Sequence, residues 1–244
     1  MKTKHKKFFK QHPKLSICLI ALFLIVAIGF YAYTQLFGDP FANVPSVSLD
    51  DIPEFDGTSA YVYINDNKPF FTEEEIVTES YEKYGALDGL GRCTMCIACI
   101  GTDLMPTEDR ESISQVTPSG WVNAKYDFID GKYVYNRCHL IGFQLTGENA
   151  NRENLITGTR YLNIEGMLPF ENMIADYLKE NPENHVMFRV TPIYDGDNLV
   201  ASGVLMEAWS VEDGGEGICF NVYAYNVQPG VIIDYATGET RAES

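Results

Sequence analysis

Residues 15–37 (LSICLIALFLIVAIGFYAYTQLF) carry no charged side chain, and this stretch constrains the chain more than any other. A helix of about 20 apolar residues crosses the hydrocarbon core of a bilayer, so the segment predicts a transmembrane helix. Lys2, Lys4, Lys6, Lys7, Lys10 and Lys14 precede it, and no acid occurs before Asp39. The positive-inside rule then puts the N-terminus in the cytoplasm and the rest of the chain outside the cell membrane. Tyr31 and Tyr33 suit the outer aromatic belt. A cleaved signal peptide competes with this reading, but its apolar region would be only about 7–15 residues and would end in a small-x-small site. Only Ala32-Tyr33-Thr34 resembles such a site. The expected organisation is a cytoplasmic basic tail over 1–14, a signal anchor over 15–37, an extracellular linker over 38–60 and one folded domain over 61–244. The linker holds three prolines, Pro40, Pro45 and Pro53, and little periodicity.

The charge balance divides at the same place. The chain has 18 basic and 34 acidic residues, and six of the basic ones precede residue 15, so the remainder carries 12 − 34 = −22. A domain that anionic does not hold nucleic acid by bulk electrostatics, and any site for a polyanion must gather positive charge locally.

Periodicity places the elements. Tyr61 to Ile64 alternates as a strand, and residues 72–84 read as an acidic helix opened by a Thr72/Glu75 capping box. Residues 132–135 give a short strand signal that runs into Asn136-Arg137-Cys138-His139. Phe170, Met173, Ile174, Tyr177 and Leu178 form the stripe of an amphipathic helix, with Pro169 in its first turn and Asn181-Pro182 as its stop. Residues 185–191, 199–209, 218–227 and 231–235 read as strands. The fold class is α+β, a mostly antiparallel sheet with one main helix.

Five of the six cysteines lie after the apolar stretch: Cys93, Cys96, Cys99, Cys138 and Cys219. An extracellular location permits disulfides, and an odd number leaves at least one thiol free. The Cys93-x2-Cys96-x2-Cys99 run imitates a cluster motif, but Asp103 stands where the fourth cysteine belongs, so a disulfide is the better reading. Cys138 is a candidate to pair with one of these three or with Cys219.

Only His139 and His185 lie beyond the apolar stretch, too few for a multi-histidine zinc site. His185 reads as a strand-edge residue. His139 follows a strand, with Arg137 two residues earlier and Asn149, Asn151, Asn154, Asn163 and Glu171 downstream. In that pattern the chain resembles the DNA/RNA non-specific endonucleases of the ββα-metal fold, most closely the membrane-anchored nucleases of DNA uptake. Their motif is Asp-Arg-Gly-His after a strand, then Asn-x8-Asn-x7-Glu leading into a helix. This chain has Asn136-Arg137-Cys138-His139, then Asn154, Asn163 and Glu171 at those spacings. Met105-Pro106-Thr107, Pro118-Ser119-Gly120-Trp121 and residues 226–230 also look like the family, and the resemblance covers roughly residues 60–240. Asn136 stands for the usual Asp, and Cys138 for the usual Gly.

The resemblance implies a Mg²⁺-dependent enzyme, with Mn²⁺ as a substitute, acting on DNA and RNA backbones. His139 is the implied general base, Asn163 the metal ligand and Glu171 the group orienting metal-bound water. Arg137 would stabilise the phosphate, and Asn154 would position the surrounding loop. These residue types suit phosphodiester hydrolysis, because an imidazole takes a proton from water near neutral pH and a hydrated Mg²⁺ needs few protein ligands. The competing class is a membrane-anchored nucleic-acid-binding module with weak or no catalysis, motivated by Asn136, Cys138 and the acidity.

Overall fold

The computed structural model describes residues 47–243. Among these no helix is long and apolar enough to cross a membrane. The membrane localisation expected from the sequence is corrected on that finding, and the apolar stretch that suggested it, residues 15–37, lies outside the described residues.

The chain runs through β1 (Tyr61–Tyr63), β2 (Tyr81–Tyr84), β3 (Cys96–Ile100), β4 (Tyr135–His139), the short helix α1 (Phe143–Thr146) and β5 (Leu155–Thr159). The main helix α2 (Leu168–Glu180) follows, then β6 (Val186–Ile193), β7 (Gly203–Ser210), β8 (Cys219–Tyr225), β9 (Val231–Ile233) and β10 (Thr240–Ala242). Six strands form one antiparallel sheet in the order β1-β8-β7-β6-β3-β2, while β4 and β5 form a separate hairpin and β9 pairs with β10. This is a mixed α/β domain with a mostly antiparallel sheet and one main helix.

Side chains alternate across a strand, so the two faces of the sheet can be read residue by residue. One face presents Ala98, Ile100, Phe188, Val190, Val204, Met206, Phe220 and Val222 to a core shared with Phe170, Ile174 and Leu178 of α2 and Cys138, Leu140 and Ile156 of the hairpin region. Ile174 and Leu178 are fully buried, and each stabilises the domain by roughly 1.5–3 kcal/mol. The opposite face carries Arg189, Glu207 and Asn221, all buried. It is sealed by the segment between β1 and β2: the Phe70 N–H donates to Glu207 (2.7 Å), and Glu75 accepts from Arg189 (2.9 Å). Because both faces are covered, β6 reads as a nearly continuous apolar run, Val186 to Val190, broken only by Arg189.

Several expectations change. Residues 72–84 form no helix. The Thr72 N–H does donate to the Glu75 carboxylate (2.9 Å), but Glu75 also serves Arg189, and the chain goes on to β2. The strand expected at 132–135 begins only at Tyr135, because Lys132 sits at φ 68°, where a strand cannot continue. Within the expected linker, Phe55 packs on Tyr161 and Tyr225, and the Pro53 carbonyl accepts from the Tyr225 hydroxyl (2.6 Å).

The expected disulfides are absent: Cys93, Cys96, Cys99, Cys138 and Cys219 are all free thiols. Strand parity explains part of this. Cys96 and Cys99 lie three residues apart in β3 and so point to opposite faces. Cys99 donates to the Val77 carbonyl (3.2 Å), whereas Cys93 and Cys96 donate to carbonyls of Arg152, Leu155 and Glu153 (3.3, 3.2 and 3.5 Å). The latter two thiols therefore tie the start of β5 to the sheet.

Candidate active site

The β4–β5 hairpin and the helix after it bring the singled-out residues together. His139 ends β4 opposite Leu155 at the start of β5. The connection between them returns through a 3₁₀ turn, Arg152–Asn154, capped by the Asn151 side chain on the Glu153 N–H (2.9 Å). Asn154 is fully buried and grips the peptide of Ile141 from both sides. Its side-chain oxygen accepts from the Ile141 N–H, its amide donates to the Ile141 carbonyl, and both bonds measure 2.9 Å. A third bond, Leu140 N–H to the Asn154 carbonyl (2.9 Å), completes the clamp directly after His139. Leaving a buried amide unpaired costs about 1–3 kcal/mol, so the clamp fixes the loop strongly.

His139 is 6% exposed. Its Nε2 lies 2.7 Å from the Asn149 carbonyl, which can only accept, so Nε2 carries the proton. Nδ1 is left with its lone pair, 3.2 Å from the Arg110 guanidinium. Burial pushes the imidazole down to about 4, with Arg110 adding to the shift and the Asn149 carbonyl opposing it. The ring is therefore neutral at pH 7.

Asn163 sits in a π-helical turn, Leu162–Met167, that leads without a break into α2. The Leu168 N–H reaches the Asn163 carbonyl across the wide turn, and Pro169, which has no N–H to give, follows at once. Pro169 and Gly166 are thus accommodated within one continuous helical run. The Asn163 side-chain oxygen is 3.1 Å from the Cys138 thiol, and its amide is 3.5 Å from the Asn136 side-chain oxygen. Burial pushes the Cys138 thiol well above its ordinary value, so it stays a neutral donor. Cys138 needs no left-handed backbone. Instead its Cβ fills space over Gly158, where an added Cβ would come within 2.5 Å of it.

Glu171, in the first turn of α2, is 8% exposed and forms no salt bridge among the described residues. Burial pushes its carboxyl up to about 7, against the opposing pull of Arg110, Gln144 and the Gly142 N–H. A Cβ at Gly142 would lie 2.7 Å from this carboxylate, so glycine there is what lets the loop after His139 close on α2. Arg110, His139, Asn163 and Glu171 line one cavity of about 580 Å³, which Arg137 also borders. Two nitrogens of Arg137 are engaged by loop carbonyls, Nε by Val116 (2.5 Å) and Nη2 by Ser114 (3.0 Å), while its guanidinium stacks 4.3 Å from the Trp121 ring.

Arg110 is the residue that sequence reasoning missed. Its one sequence signal is that it is the sole basic residue between Arg92 and Lys125, set among Glu108, Asp109 and Glu111. His185 pairs with Glu212 (2.7 Å) and does not line the cavity.

The fold is shared with solved nucleases. It superposes on the structure of NucA from Streptococcus agalactiae with magnesium ion bound, with a TM-score of 0.66 at 24% identity, covering 74% of this chain and 86% of that one. It superposes equally well on the Sda1 nuclease with bound zinc ion, with a TM-score of 0.66 at 26% identity, covering 76% and 97%. The profile of the DNA/RNA non-specific endonucleases matches residues 72–212, more than half of the chain, and the chain belongs to that family. A deoxyribonuclease of Streptococcus dysgalactiae subsp. equisimilis is 28% identical, over 71% of this chain; the chain spans 64% of that relative's length.

Proposed function

We propose that this chain hydrolyses DNA and RNA phosphodiesters without sequence preference, using residues 61–244 as a ββα-metal nuclease domain. One observation carries the reading. A buried histidine whose tautomer is fixed, with Nδ1 unprotonated, opens on the same cavity as an asparagine oxygen and a buried carboxylate.

The donor set suits a hard divalent ion. Asn163 and Glu171 offer oxygens, Cys138 is a neutral thiol, and His139 already spends one nitrogen on Asn149. Mg²⁺ or Mn²⁺ prefers such ligands and keeps most of its waters; Asn163 would hold the ion and Glu171 would orient its waters. When bound, the ion supplies Lewis-acid neutralisation of charge on the phosphate and on the departing 3′ oxygen.

The chain's own residues do the rest. His139 Nδ1 takes the proton of the attacking water, and the Asn149 carbonyl steadies the imidazolium that forms. Arg110, now resting against Nδ1, turns its guanidinium to the non-bridging phosphate oxygens when substrate displaces it. Arg137 contributes charge through its stacked guanidinium rather than through a free fork, since two of its nitrogens already have partners. Asn154 holds the loop that fixes His139.

The test is digestion of supercoiled plasmid and of an RNA transcript by the full chain, with Mg²⁺ and with EDTA. The wild type is expected to nick both with Mg²⁺ and neither with EDTA. His139→Ala is expected to lose about 100- to 10,000-fold in rate. Intact substrate under every divalent ion and pH would leave the chain a binding module and overturn the proposal.

A further inference from the structure

Resting on the nuclease reading above, we propose that a second cavity beside the candidate active site is a stacking subsite for one unpaired nucleotide of the substrate strand. Tyr133 and Trp121 would face its base and Arg160 its phosphate.

This cavity measures about 620 Å³ and is lined by Trp121, Tyr133, Tyr135, Asn136, Arg137 and Arg160, among others. Its size lies within the roughly 300–1,000 Å³ range of small-molecule sites. It adjoins the catalytic cavity, since Asn136, Arg137 and Arg160 line both. A strand held at one therefore passes the other.

The residues fit a nucleotide, a flat ring joined to an anion. Tyr133 lines this cavity and is 46% exposed, so its ring is open to a ligand. Lys125 sits 4.6 Å from its ring centroid, and the loop carrying both is cinched by Tyr126 N–H to the Lys132 carbonyl (2.8 Å) and Val134 N–H to the Ala124 carbonyl (3.1 Å). Trp121 and Arg137 form a stacked pair at 4.3 Å that the Ser114 and Val116 carbonyls lock in place. Two arginines, Arg137 and Arg160, line the cavity with one acid, Asp130, in a chain of net charge −16. The Asp130 side chain paired with Arg160 (2.7 Å) is 85% exposed, so it swings away at little cost when a phosphate competes. Bases in a duplex already stack on one another and offer only edges, so the exposed ring of Tyr133 selects an unpaired base.

Full-length chain made inactive by His139→Ala would be titrated against a fluorescein-labelled 12-mer of thymidylate and against a blunt duplex of the same length, following anisotropy. Adding Tyr133→Ala is expected to weaken single-strand binding about tenfold and duplex binding less than twofold, with Tyr133→Phe restoring single-strand binding. Unchanged binding in Tyr133→Ala, or an equal loss on the duplex, overturns the subsite. The two readings fail separately. A wild type that leaves plasmid intact yet binds thymidylate through Tyr133 breaks the nuclease reading alone. One that cuts plasmid while Tyr133→Ala binds normally breaks the subsite alone.

Discussion

Two buried glutamates lie on opposite sides of the central sheet, and their surroundings differ in kind. Glu207 is 1% exposed; both its oxygens meet Arg189, at 2.8 and 3.1 Å, and one of them also accepts the Phe70 N–H. Arg189 in turn spends its remaining arm on Glu75 and lies 4.6 Å from the Phe71 ring. Every charge there has its partner. Glu171 is 8% exposed, has no paired cation, and borders a cavity of about 580 Å³, and its carboxyl is pushed up to about 7 by burial. The first arrangement is a structural seal. The second holds a buried acid whose charge is answered only in part, by Arg110, Gln144 and the Gly142 N–H, and which borders open space. The same residue type thus marks architecture on one face and chemistry on the other, and what separates them is whether its charge is already answered.

The comparison breaks most visibly at Glu207. Glu207→Ala leaves Arg189 buried and half-paired, and urea denaturation should show a loss of about 3–5 kcal/mol, while cleavage per folded molecule stays within twofold. At Glu171 the effects should exchange places. Glu171→Gln is expected to weaken Mn²⁺ binding, followed by electron paramagnetic resonance, about 10- to 100-fold with little loss of stability. If Glu171→Gln destabilised as much as Glu207→Ala, the contrast between seal and site would be lost.

A further effect concerns pH. His139 is held neutral in the folded protein down to about 4, whereas an unfolded imidazole takes its proton near 6.5. The unfolded chain therefore binds more protons between those values, and this contribution to stability is complete above pH 6.5 and lost as pH falls towards 4. Metal-free wild type should lose stability over that window more steeply than His139→Gln. Parallel curves would mean that the ring is not desolvated as described.

Much of this was legible in the sequence, and the failures have physical causes. Strands β6, β7 and β8 and helix α2 announced themselves because their periodicity matches what they bury. Strand β3 went unread because Cys96 and Cys99 drew attention as sulfur, when Cys96-Ile97-Ala98-Cys99-Ile100 is a strand buried throughout. The disulfide reading failed for the same reason, since parity within a strand separates thiols that lie close in sequence. In the site, His139, Asn154, Asn163 and Glu171 were legible through the resemblance to the family motif, and the hairpin and π turn bring them to one place. Arg110 could not be found that way. It reaches Nδ1 from a loop whose path depends on the whole fold, and nothing local in its acidic neighbourhood forecasts the contact.

The central claim is that His139 Nδ1 acts as the base in this cavity. Chemical rescue tests it most directly: His139→Gly would be assayed on plasmid with increasing free imidazole. The account predicts near-silent protein without imidazole. Cleavage should then rise with the concentration of the neutral imidazole form, and Asn163→Ala should gain nothing from the same additions. Full activity in His139→Gly without imidazole, or no response to it at any concentration in a protein that remains folded, would contradict the account.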